Sequence, residues 1–404
     1  MSKKYFVTGL DIGTNNIKML SVQKTDDQKF EIVSQVQVPS VGVRKGIVIN
    51  VEETAKSIEQ AVSEMQELSN HKIKDVFCGV GGSHIFIISG QGRVAVSRAD
   101  ETVSQEDIDR AVLAAGAVSL PPNKEIIHTL PKEFVLDGEG GIKDVLGMKG
   151  IRLEAHTLLL GGFTPYIKNL TQTVLAADLG ISDLILSPMA SSRAILTPRQ
   201  KELGVALVDI GGATTSLAVF EEGSLIHLNV LPIGSSHITN DIAIGLKIDI
   251  DLAEKIKLEY GTAIYQSSGK REMINISEEV EEPISFSKKE LAEIIESRLS
   301  EIFDLITKDL KSISKNQLLP AGIVLTGGGS KLPKIKDFVK RELKLPVQIG
   351  QMSEFTEPLE DPAFSVCAGL VLLSQEDYGT EDQSFSSGSG FGSKVKKIFE
   401  KFVP

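Results

Sequence analysis

The chain contains little cysteine, no tryptophan and few histidines. Only Cys78 and Cys367 occur among its 404 residues, and they form neither a CxxC pair nor a closely spaced framework. A disulfide-stabilised scaffold is therefore excluded, and a reducing compartment is expected. The six histidines are scattered without HExxH or any other metal-ligand spacing, so no histidine metal site is predicted.

Long hydrophobic runs and an excess of positive charge are also missing. Apolar stretches such as Leu158–Leu160 and Gly369–Leu373 fall well short of the ~18 residues that a membrane-spanning helix needs. The N-terminus reaches Asp11 after only a short apolar stretch, which excludes the core of a signal peptide. The 43 Lys and Arg residues against 54 Asp and Glu give a net charge of −11. No nucleic-acid binding is therefore expected, and any contact with anionic lipid must be local.

The composition is that of a globular protein, and the sequence contains an internal echo. Hydrophobic residues make up 41% and charged residues 24% of a chain long enough for two or more domains. Residues 7–22 align with residues 205–220 so that Asp11 meets Asp209. Each copy has the pattern of a strand, an Asp-Ile-Gly turn and a second strand. The repeat predicts two similarly built lobes with a cleft between them.

The two Asp-Ile-Gly turns have the chemistry of a phosphate and metal site. Glycine lets the backbone approach a phosphate, while hydroxyl and N–H groups bind its oxygens. Asp11 and Asp209, facing each other across the cleft, would hold a hydrated Mg²⁺ that bridges the β- and γ-phosphates. One such turn alone is common in proteins. Two copies half a chain apart, followed by a third glycine loop, favour a nucleotide site.

The third loop, Gly327–Ser330, follows the apolar strand 321–326, and a helix is expected to begin near Leu332–Pro333. Three consecutive glycines let a nucleotide lie flat against the backbone, although a plain turn has the same composition. Glu254 and Lys257 share a helix face at positions i and i+3. They would contact a ribose or adenine, or form only a surface ion pair.

Helical periodicity predicts helices at 52–69, 251–260 and 287–313, and alternation predicts a strand at 125–136. Ser287 and Glu290 form the capping-box pattern at the start of the long third helix. Its polar face, taken alone, is typical of a solvated surface.

The C-terminal residues divide into an acidic linker and a basic amphipathic segment. Residues 375–390 are rich in Ser, Gly and acidic residues, which predicts a flexible linker. Residues 391–404 carry a net charge of +3 and place six apolar residues on one stripe: Phe391, Val395, Ile398, Phe399, Phe402 and Val403. This pattern predicts an interfacial helix that binds anionic membrane weakly, with polymerisation adding avidity. The alternative is a helix packed on the chain's own core, against which the linker's length and acidity argue.

In this order, the motifs resemble the superfamily of actin, heat-shock chaperones and sugar kinases, and within it most closely the bacterial FtsA family. The resemblance covers nearly the whole chain and rests on Gly9–Thr14, Leu186–Ser192, Asp209–Gly212, Leu231–Gly234, Val324–Ser330 and the basic C-terminus. Chaperones and sugar kinases of the superfamily do not end in such a helix.

The resemblance implies an α/β fold: an actin-like, two-lobed ATPase fold with an inserted α/β subdomain, a flexible linker and a C-terminal amphipathic helix. The implied division is 1–82 and 163–202 for the first lobe, 83–162 for the inserted subdomain, 203–243 and 321–374 for the second lobe, 244–320 for its smaller subdomain, 375–390 for the linker and 391–404 for the helix.

The resemblance also implies ATP and Mg²⁺ as cofactors and assigns roles to individual residues. The phosphate loops would be formed by Asp11, Gly13, Thr14, Asn15 and Asn16 in the first lobe and by Asp209, Gly211, Gly212 and Thr214 in the second; Glu254, Lys257, Gly327, Gly328, Gly329 and Ser330 would hold the adenosine. Asp11 and Asp209 would bind Mg²⁺ through water. The membrane-binding residues would be Phe391, Lys394, Val395, Lys397, Ile398, Phe399, Lys401 and Phe402.

The implied function is cell division. The chain would polymerise as an actin-like filament on the cytoplasmic face of the membrane at the division site. There it would capture the C-terminal peptide of the tubulin-like protein FtsZ, with Arg298 and Glu301 as candidate contacts, and would meet later division proteins.

One position departs from a related pattern. The rod-shape actin MreB has a glutamate before the Pro-Met-Ala of the connecting segment, thought to orient the attacking water, and here that place is Ser187. A serine is not a strong general base unless another group activates it, so ATP hydrolysis is expected to be weak or absent. Two rivals share the superfamily. A small-molecule kinase would need a further cleft carboxylate as base, and a pilus-assembly relative would bind a membrane-protein peptide at the inserted subdomain but would lack this linker and basic tail.

Overall fold

The first lobe and the inserted subdomain occupy the first half of the chain. The computed structural model describes residues 6–25, 29–266, 272–276, 283–313 and 319–377. The chain begins with β1 (Phe6–Ile12), β2 (Asn16–Lys24), β3 (Phe30–Pro39), β4 (Val43–Arg44), β5 (Ile47–Val48), α1 (Val51–Ser69) and β6 (Asp75–Val80). It continues with β7 (Phe86–Ala95), α2 (Gln105–Gly116), β8 (Lys124–Leu136), β9 (Glu139–Ile142) and β10 (Arg152–Phe163), then α3 (Thr164–Ala176), β11 (Gly180–Leu186), α4 (Ser187–Ile195) and α5 (Pro198–Leu203).

These strands form two separate sheets. The first-lobe sheet has the order β11-β6-β1-β2-β3, with β1 antiparallel to β2 and parallel to β6. Strands β7 to β10 form their own sheet in the order β7-β10-β8-β9, with α2 packed on β7 and β10. Gly92 lies so close to the backbone of α2 that a Cβ atom there would overlap Ala111. Glycine therefore permits the close approach of strand and helix.

The second lobe repeats the hairpin start. Its elements are β12 (Val205–Ile210), β13 (Thr215–Glu221), β14 (Ser224–Leu231), α6 (Ser235–Leu246), α7 (Ile250–Tyr260), β15 (Met273–Ile276), β16 (Ile284–Ser287), α8 (Lys288–Ile313), β17 (Ile323–Thr326), α9 (Ile335–Leu343), β18 (Val347–Ile349) and α10 (Ser365–Asp377). The sheet order is β14-β13-β12-β17-β18. The apolar stripe of α8 is buried, and Ser287 Oγ accepts a hydrogen bond from the Glu290 N–H at 3.1 Å. The predicted helix and its N-terminal capping serine are thus confirmed.

The internal echo is a structural repeat. Asp11 on β1 lies opposite Lys18 on β2, and Asp209 on β12 lies opposite Ser216 on β13. Both hairpins therefore have the same register. The Gly13 N–H donates to the Asn16 carbonyl at 3.1 Å, and the Gly211 N–H donates to the Thr214 carbonyl at 2.9 Å. The same turn hydrogen bond thus closes both loops.

Helices α4 and α10 pack against each other between the two large sheets. Residues 365–374 of α10 are all buried, as expected for a helix with apolar side chains on every side. The resemblance assigns residues 321–374 to the second lobe, but α10 packs on β1, β2 and β6 of the first-lobe sheet. The last of the described helices thus returns to the first lobe.

The structure differs from the predictions at two helix ends. Helix α9 begins at Ile335 rather than near Leu332–Pro333, because Gly328–Lys331 forms a 3₁₀ turn and Lys334 has a left-handed φ of 64°. Helix α10 runs to Asp377, so residues 375–377, which were predicted as linker, are helical. The remaining linker residues and the predicted helix 391–404 lie outside the described residues. Among the helices that the structure describes, none is long and apolar enough to cross a bilayer.

Candidate functional site

A cavity of about 540 Å³ lies between the two lobes, at the ends of the two hairpins. It brings together fourteen predicted residues that are distant in sequence: Asp11, Gly13, Thr14, Asn15, Asn16, Asp209, Gly211, Gly212, Thr214, Glu254, Lys257, Gly327, Gly328 and Gly329. Ser330 does not line it. The hydroxyl of Ser330 is buried and donates to the Gly327 carbonyl at 2.7 Å, so it fixes the glycine loop instead.

Lys18 provides a cation at the floor of the cavity. Its ammonium donates to Asp11 Oδ2 at 2.9 Å, and its side chain is 15% exposed. Burial alone would lower the pKa of Lys18, but the charge of Asp11 and the hydrogen bond to it raise the pKa above its ordinary value. Lys18 therefore stays charged. Sequence reasoning missed it, although the hairpin register, once accepted, places residue 18 directly opposite Asp11.

Asp209 has a different environment from Asp11. Burial, and to a lesser degree the charge of Asp11, raises the pKa of the Asp209 carboxyl to about 6, while Lys18 opposes this shift. Gly327, with a φ of +80°, lies directly against Asp209, and a Cβ atom there would overlap the carboxylate. The third loop needs glycine at this position both for its backbone conformation and for its contact with Asp209.

The donor set suits a hydrated cation. Mg²⁺ prefers oxygen ligands and keeps several of its waters. Within the described ranges, no group of three or more His, Cys, Asp or Glu side chains is placed to hold a metal ion. Asp11 and Asp209, near the ends of β1 and β12, both line the cavity, and Mg²⁺ is commonly held by one or two carboxylates together with water and phosphate.

Glu254 and Lys257 form an ion pair at the second-lobe wall of the cavity, between α7 and α6. The Lys257 ammonium lies 2.6 Å from Glu254 Oε2 and donates to Thr239 Oγ1 at 2.8 Å. The Thr239 hydroxyl in turn donates to Glu254. The expectation that Glu254 and Lys257 share a helix face is confirmed, and both line the cavity. Both contacts are made by Glu254 Oε2, so this oxygen is occupied within the cluster.

Ser187 is the first residue of α4 and lines the opposite wall. A Cβ atom at Gly79 would lie 3.0 Å from the Ser187 hydroxyl, so a residue larger than glycine there would press on it. The carboxylates that line the cavity belong to Asp11, Asp209 and Glu254. None of these carboxylates lies on α4, where Ser187 lines the cavity.

Arg298 and Glu301 lie on α8, away from the cavity. The Arg298 guanidinium donates to both carboxylate oxygens of Asp241 on α6, at 2.6 and 2.8 Å, and also to Glu301. The pairing with Asp241 holds α8 and α6 together. The Glu301 side chain is 54% exposed and remains accessible.

Two family models match the chain. Residues 206–369 match "Cell division protein FtsA", and residues 82–160 match "SHS2 domain inserted in FTSA". The second match spans β7 to β9 and most of β10. The inserted subdomain is therefore of the SHS2 type.

Curated relatives match over nearly the full length. The cell division protein FtsA of Pseudomonas aeruginosa is 36% identical over 97% of this chain and 94% of its own length. That of Neisseria meningitidis is 36% identical over 98% of both chains, and that of Bacillus subtilis is 34% identical over 92% of this chain and 84% of its own.

Solved structures share the fold. The PilM–PilN type IV pilus biogenesis complex matches with a TM-score of 0.65 at 17% identity, covering 91% of this chain and 97% of that one. MreB5 of Spiroplasma citri bound to ADP gives a TM-score of 0.55 at 13% identity, covering 92% and 96%. At these identities the likeness shows the fold alone, which is the actin-like ATPase fold. On its sequence relatives, the chain belongs to the FtsA family of cell division proteins.

Proposed function

We propose that the chain binds ATP with Mg²⁺ between its lobes, polymerises on the cytoplasmic face of the cell membrane and tethers FtsZ filaments there during division. The observation that supports this most is the cavity at which both hairpins and the third glycine loop converge. The family membership supports the division role.

Each part of the cavity has a role in nucleotide binding. The N–H groups and hydroxyls of the two loops bind phosphate oxygens, and the Lys18 ammonium balances the carboxylates beneath them. Asp11 and Asp209 hold the water shell of Mg²⁺, and Gly327, Gly328 and Gly329 let the adenosine approach the backbone. Bound Mg²⁺ neutralises phosphate charge. Because a serine stands at residue 187, we expect nucleotide to set conformation more than to turn over.

Filament formation is supported by the fold. A structure described as the MamK double helical filament matches this chain with a TM-score of 0.53 at 13% identity, covering 92% of this chain and 98% of that one. Assembly of this chain is our proposal. A filament would present many basic tails to one membrane, so that weak single contacts add up.

Residues 391–404 supply the membrane contact in this proposal, by the apolar stripe and net charge of +3 that the sequence gives them. Each lysine near an anionic leaflet contributes about 1 kcal/mol. Each buried apolar side chain adds at most ~1.5–3 kcal/mol, before the cost of ordering the helix. One tail alone should therefore bind reversibly.

Arg298 and Glu301 on α8 are the proposed contacts for the FtsZ C-terminal peptide. Asp241 already fixes the Arg298 guanidinium, so that it is oriented before any partner arrives. Glu301 is more exposed and is the better target for a test. Later division proteins are further proposed partners.

The two rivals explain less. A small-molecule kinase needs a cleft carboxylate that is free to act as base; Asp11 is paired with Lys18 and Glu254 with Lys257, and in our proposal the third, Asp209, binds the water shell of Mg²⁺. A pilus-assembly role rests on a structural likeness at 17% identity, while the curated relatives at 30–36% identity are FtsA proteins.

Co-sedimentation with anionic liposomes tests the tether. The ATP-loaded full chain is compared with a chain that ends at Gly390 and with a full-length Phe399→Glu variant, which keeps the tail but interrupts its apolar stripe. Only the unmodified chain should pellet. If all three remain in the supernatant, or all three pellet alike, the anchor is wrong.

Binding of a synthetic FtsZ C-terminal peptide tests the partner site. Glu301→Lys should weaken binding at least fivefold. Glu293→Lys changes charge equally on the same helix, at a side chain that is 62% exposed, and should have little effect. Equal binding by both variants and the parent would exclude this face of α8.

A further inference from the structure

One direct bridge crosses the cleft at its phosphate end. Asn15 lies at the tip of the first-lobe loop, and Ser236 lies in the first turn of α6 in the second lobe. Asn15 Nδ2 donates to Ser236 Oγ at 2.9 Å, and Ser236 Oγ lies 3.1 Å from Asn15 Oδ1. The two residues are 221 positions apart in sequence. Their contact therefore joins the lobes and is not local.

The second-lobe side of this bridge is held rigidly. The Ser236 N–H donates to the Gly212 carbonyl at 2.7 Å, and the Ser235 N–H donates to the Gly211 carbonyl at 2.9 Å. A Cβ atom at Gly212 would lie only 2.6 Å from Asn15 Oδ1. The Asn15 amide thus packs against Gly212 of the second loop and is hydrogen-bonded to Ser236 on α6. The backbone at Ser236 is therefore tied to the second loop.

Other contacts between the lobes are placed differently. Thr356 donates its N–H to the Phe30 carbonyl at 2.9 Å, and Arg193 pairs with Glu354 at 2.5 Å. Both involve the segment just before α10, which packs between the sheets, and none of these four residues lines the cavity. Lys143 of the inserted subdomain contacts Glu222 at the β13–β14 turn. The Asn15–Ser236 pair bridges the lobes beside the site where phosphates would bind.

We propose that Asn15 and Ser236 form a latch that closes the phosphate end of the cleft and controls how fast nucleotide leaves. The inference rests on the proposed nucleotide binding and adds a regulatory element to that site. With the latch closed, phosphates held by both loops are shielded from water. When the two hydrogen bonds break, the loops separate and the nucleotide is released. The latch would change the rate of nucleotide release and not the rate of ATP hydrolysis, because the Asn15 amide and the Ser236 hydroxyl take no part in proton transfer.

Release of a fluorescent ADP analogue, chased with unlabelled ADP, measures the first consequence. Asn15→Ala and Ser236→Ala should each speed dissociation about threefold to tenfold, the range expected from losing one or two hydrogen bonds. Because both substitutions break the same contact, the double variant should be no more than about twofold faster than either single one. Ser236→Thr keeps the hydroxyl and should stay near the parent rate. Asn123→Ala, an exposed asparagine away from the cleft, is the surface control.

A distance measurement without nucleotide gives an independent readout. Dyes on cysteines introduced at the exposed positions Val41 and Ile244 would report on the separation of the two lobes. The native cysteines, Cys78 and Cys367, are buried and should label slowly. In the ligand-free protein, Asn15→Ala and Ser236→Ala should lower energy transfer, whereas Asn123→Ala should not.

The outcomes separate this proposal from the proposed function. If the parent binds nucleotide but the latch variants keep both its release rate and its energy transfer, the latch is overturned. If neither the parent nor any variant binds nucleotide but energy transfer falls in the latch variants, the Asn15–Ser236 pair holds the lobes together, while ATP binding and the control of its release are both overturned. If nucleotide does not bind and energy transfer does not change, both are overturned.

Discussion

Asp11 and Asp209 occupy the same place in two hairpins of identical register, yet they lie opposite different residues. Asp11 faces Lys18 and is paired with it, whereas Asp209 faces Ser216. Burial and the charge of Asp11 therefore raise the pKa of Asp209 to about 6. The backbone repeat is symmetric, but its electrostatics are not. Lys18, on the first lobe, donates a hydrogen bond to Asp11, and its charge also opposes the rise in the pKa of Asp209.

The largest expected effect comes from removing that lysine. Lys18→Met leaves Asp11 buried without its cation and next to a second carboxylate, which should lower the free energy of unfolding by about 3 kcal/mol. ADP affinity should fall at least tenfold. Urea unfolding and nucleotide titration measure the two effects. Lys24→Met, at the far end of the same strand, is the matched control, and equal behaviour of the two variants would remove Lys18 from the site.

A second prediction concerns the pH dependence that Asp209 gives to the nucleotide-free protein. Because its pKa is higher in the folded state than in the unfolded chain, the folded state binds the proton more tightly. Its contribution to stability is therefore complete below about pH 4 and is lost as the pH rises to about 6, in total on the order of 3 kcal/mol. Unfolding free energies of the parent and Asp209→Asn should be compared from pH 4.5 to 7. A difference that does not change over this range would contradict the environment described for Asp209.

Alanine substitutions at the matched glycines, Gly13 and Gly211, should show a further difference between the two loops. A Cβ atom at Gly13 would lie 2.7 Å from the Asn16 carbonyl oxygen, whereas at Gly211 it would lie 3.0 Å from that of Thr214. Gly13→Ala should therefore cost about 1–2 kcal/mol of unfolding free energy, and Gly211→Ala less than half as much. Thermal and urea unfolding of the pair would show it. The reverse order would mean that the second loop is the tighter one.

The smallest expected effect tests a contact that only the first loop makes. Thr14 Oγ1 accepts a hydrogen bond from the Gly46 N–H at 2.8 Å, and the matching position in the second loop is Gly212. Thr14→Ala should cost about 1 kcal/mol, and Thr14→Ser should restore most of it. Hydrogen exchange at the Gly46 amide is the measurement. Unchanged exchange in the alanine variant would show that the hydroxyl does not hold this turn.

The sequence predicted those features whose cause is local. The hairpins, the glycine loop and the long helix α8 follow from alternation, turn residues and helical periodicity, and the echo placed Asp11 and Asp209 together. Lys18 lay within reach of the same reasoning, because hairpin register alone puts it opposite Asp11. The predicted start of α9 was wrong. Residues before Ile335 form a 3₁₀ turn and a left-handed residue, Lys334, and composition alone does not distinguish these from the first turn of a helix.

Contacts between distant segments could not be predicted in this way. Asp241 and Arg298 are 57 residues apart, on helices whose relative placement depends on the packing of the whole smaller subdomain. The bridge from Asn15 to Ser236 depends on how far the two lobes close. A sequence pattern fixes which face a residue occupies, but not which residue of another element it meets.

Helices α4 and α10 cross between the sheets with almost nothing between their backbones, since Gly369 lies where any side chain would overlap Ala190. If one lobe rotated about this contact, atoms near it would move little and atoms farther away would move in proportion to their distance. A rotation that leaves the hydrophobic interior intact would therefore still open the mouth of the cleft, so the free energy of opening is set mainly by contacts at the rim.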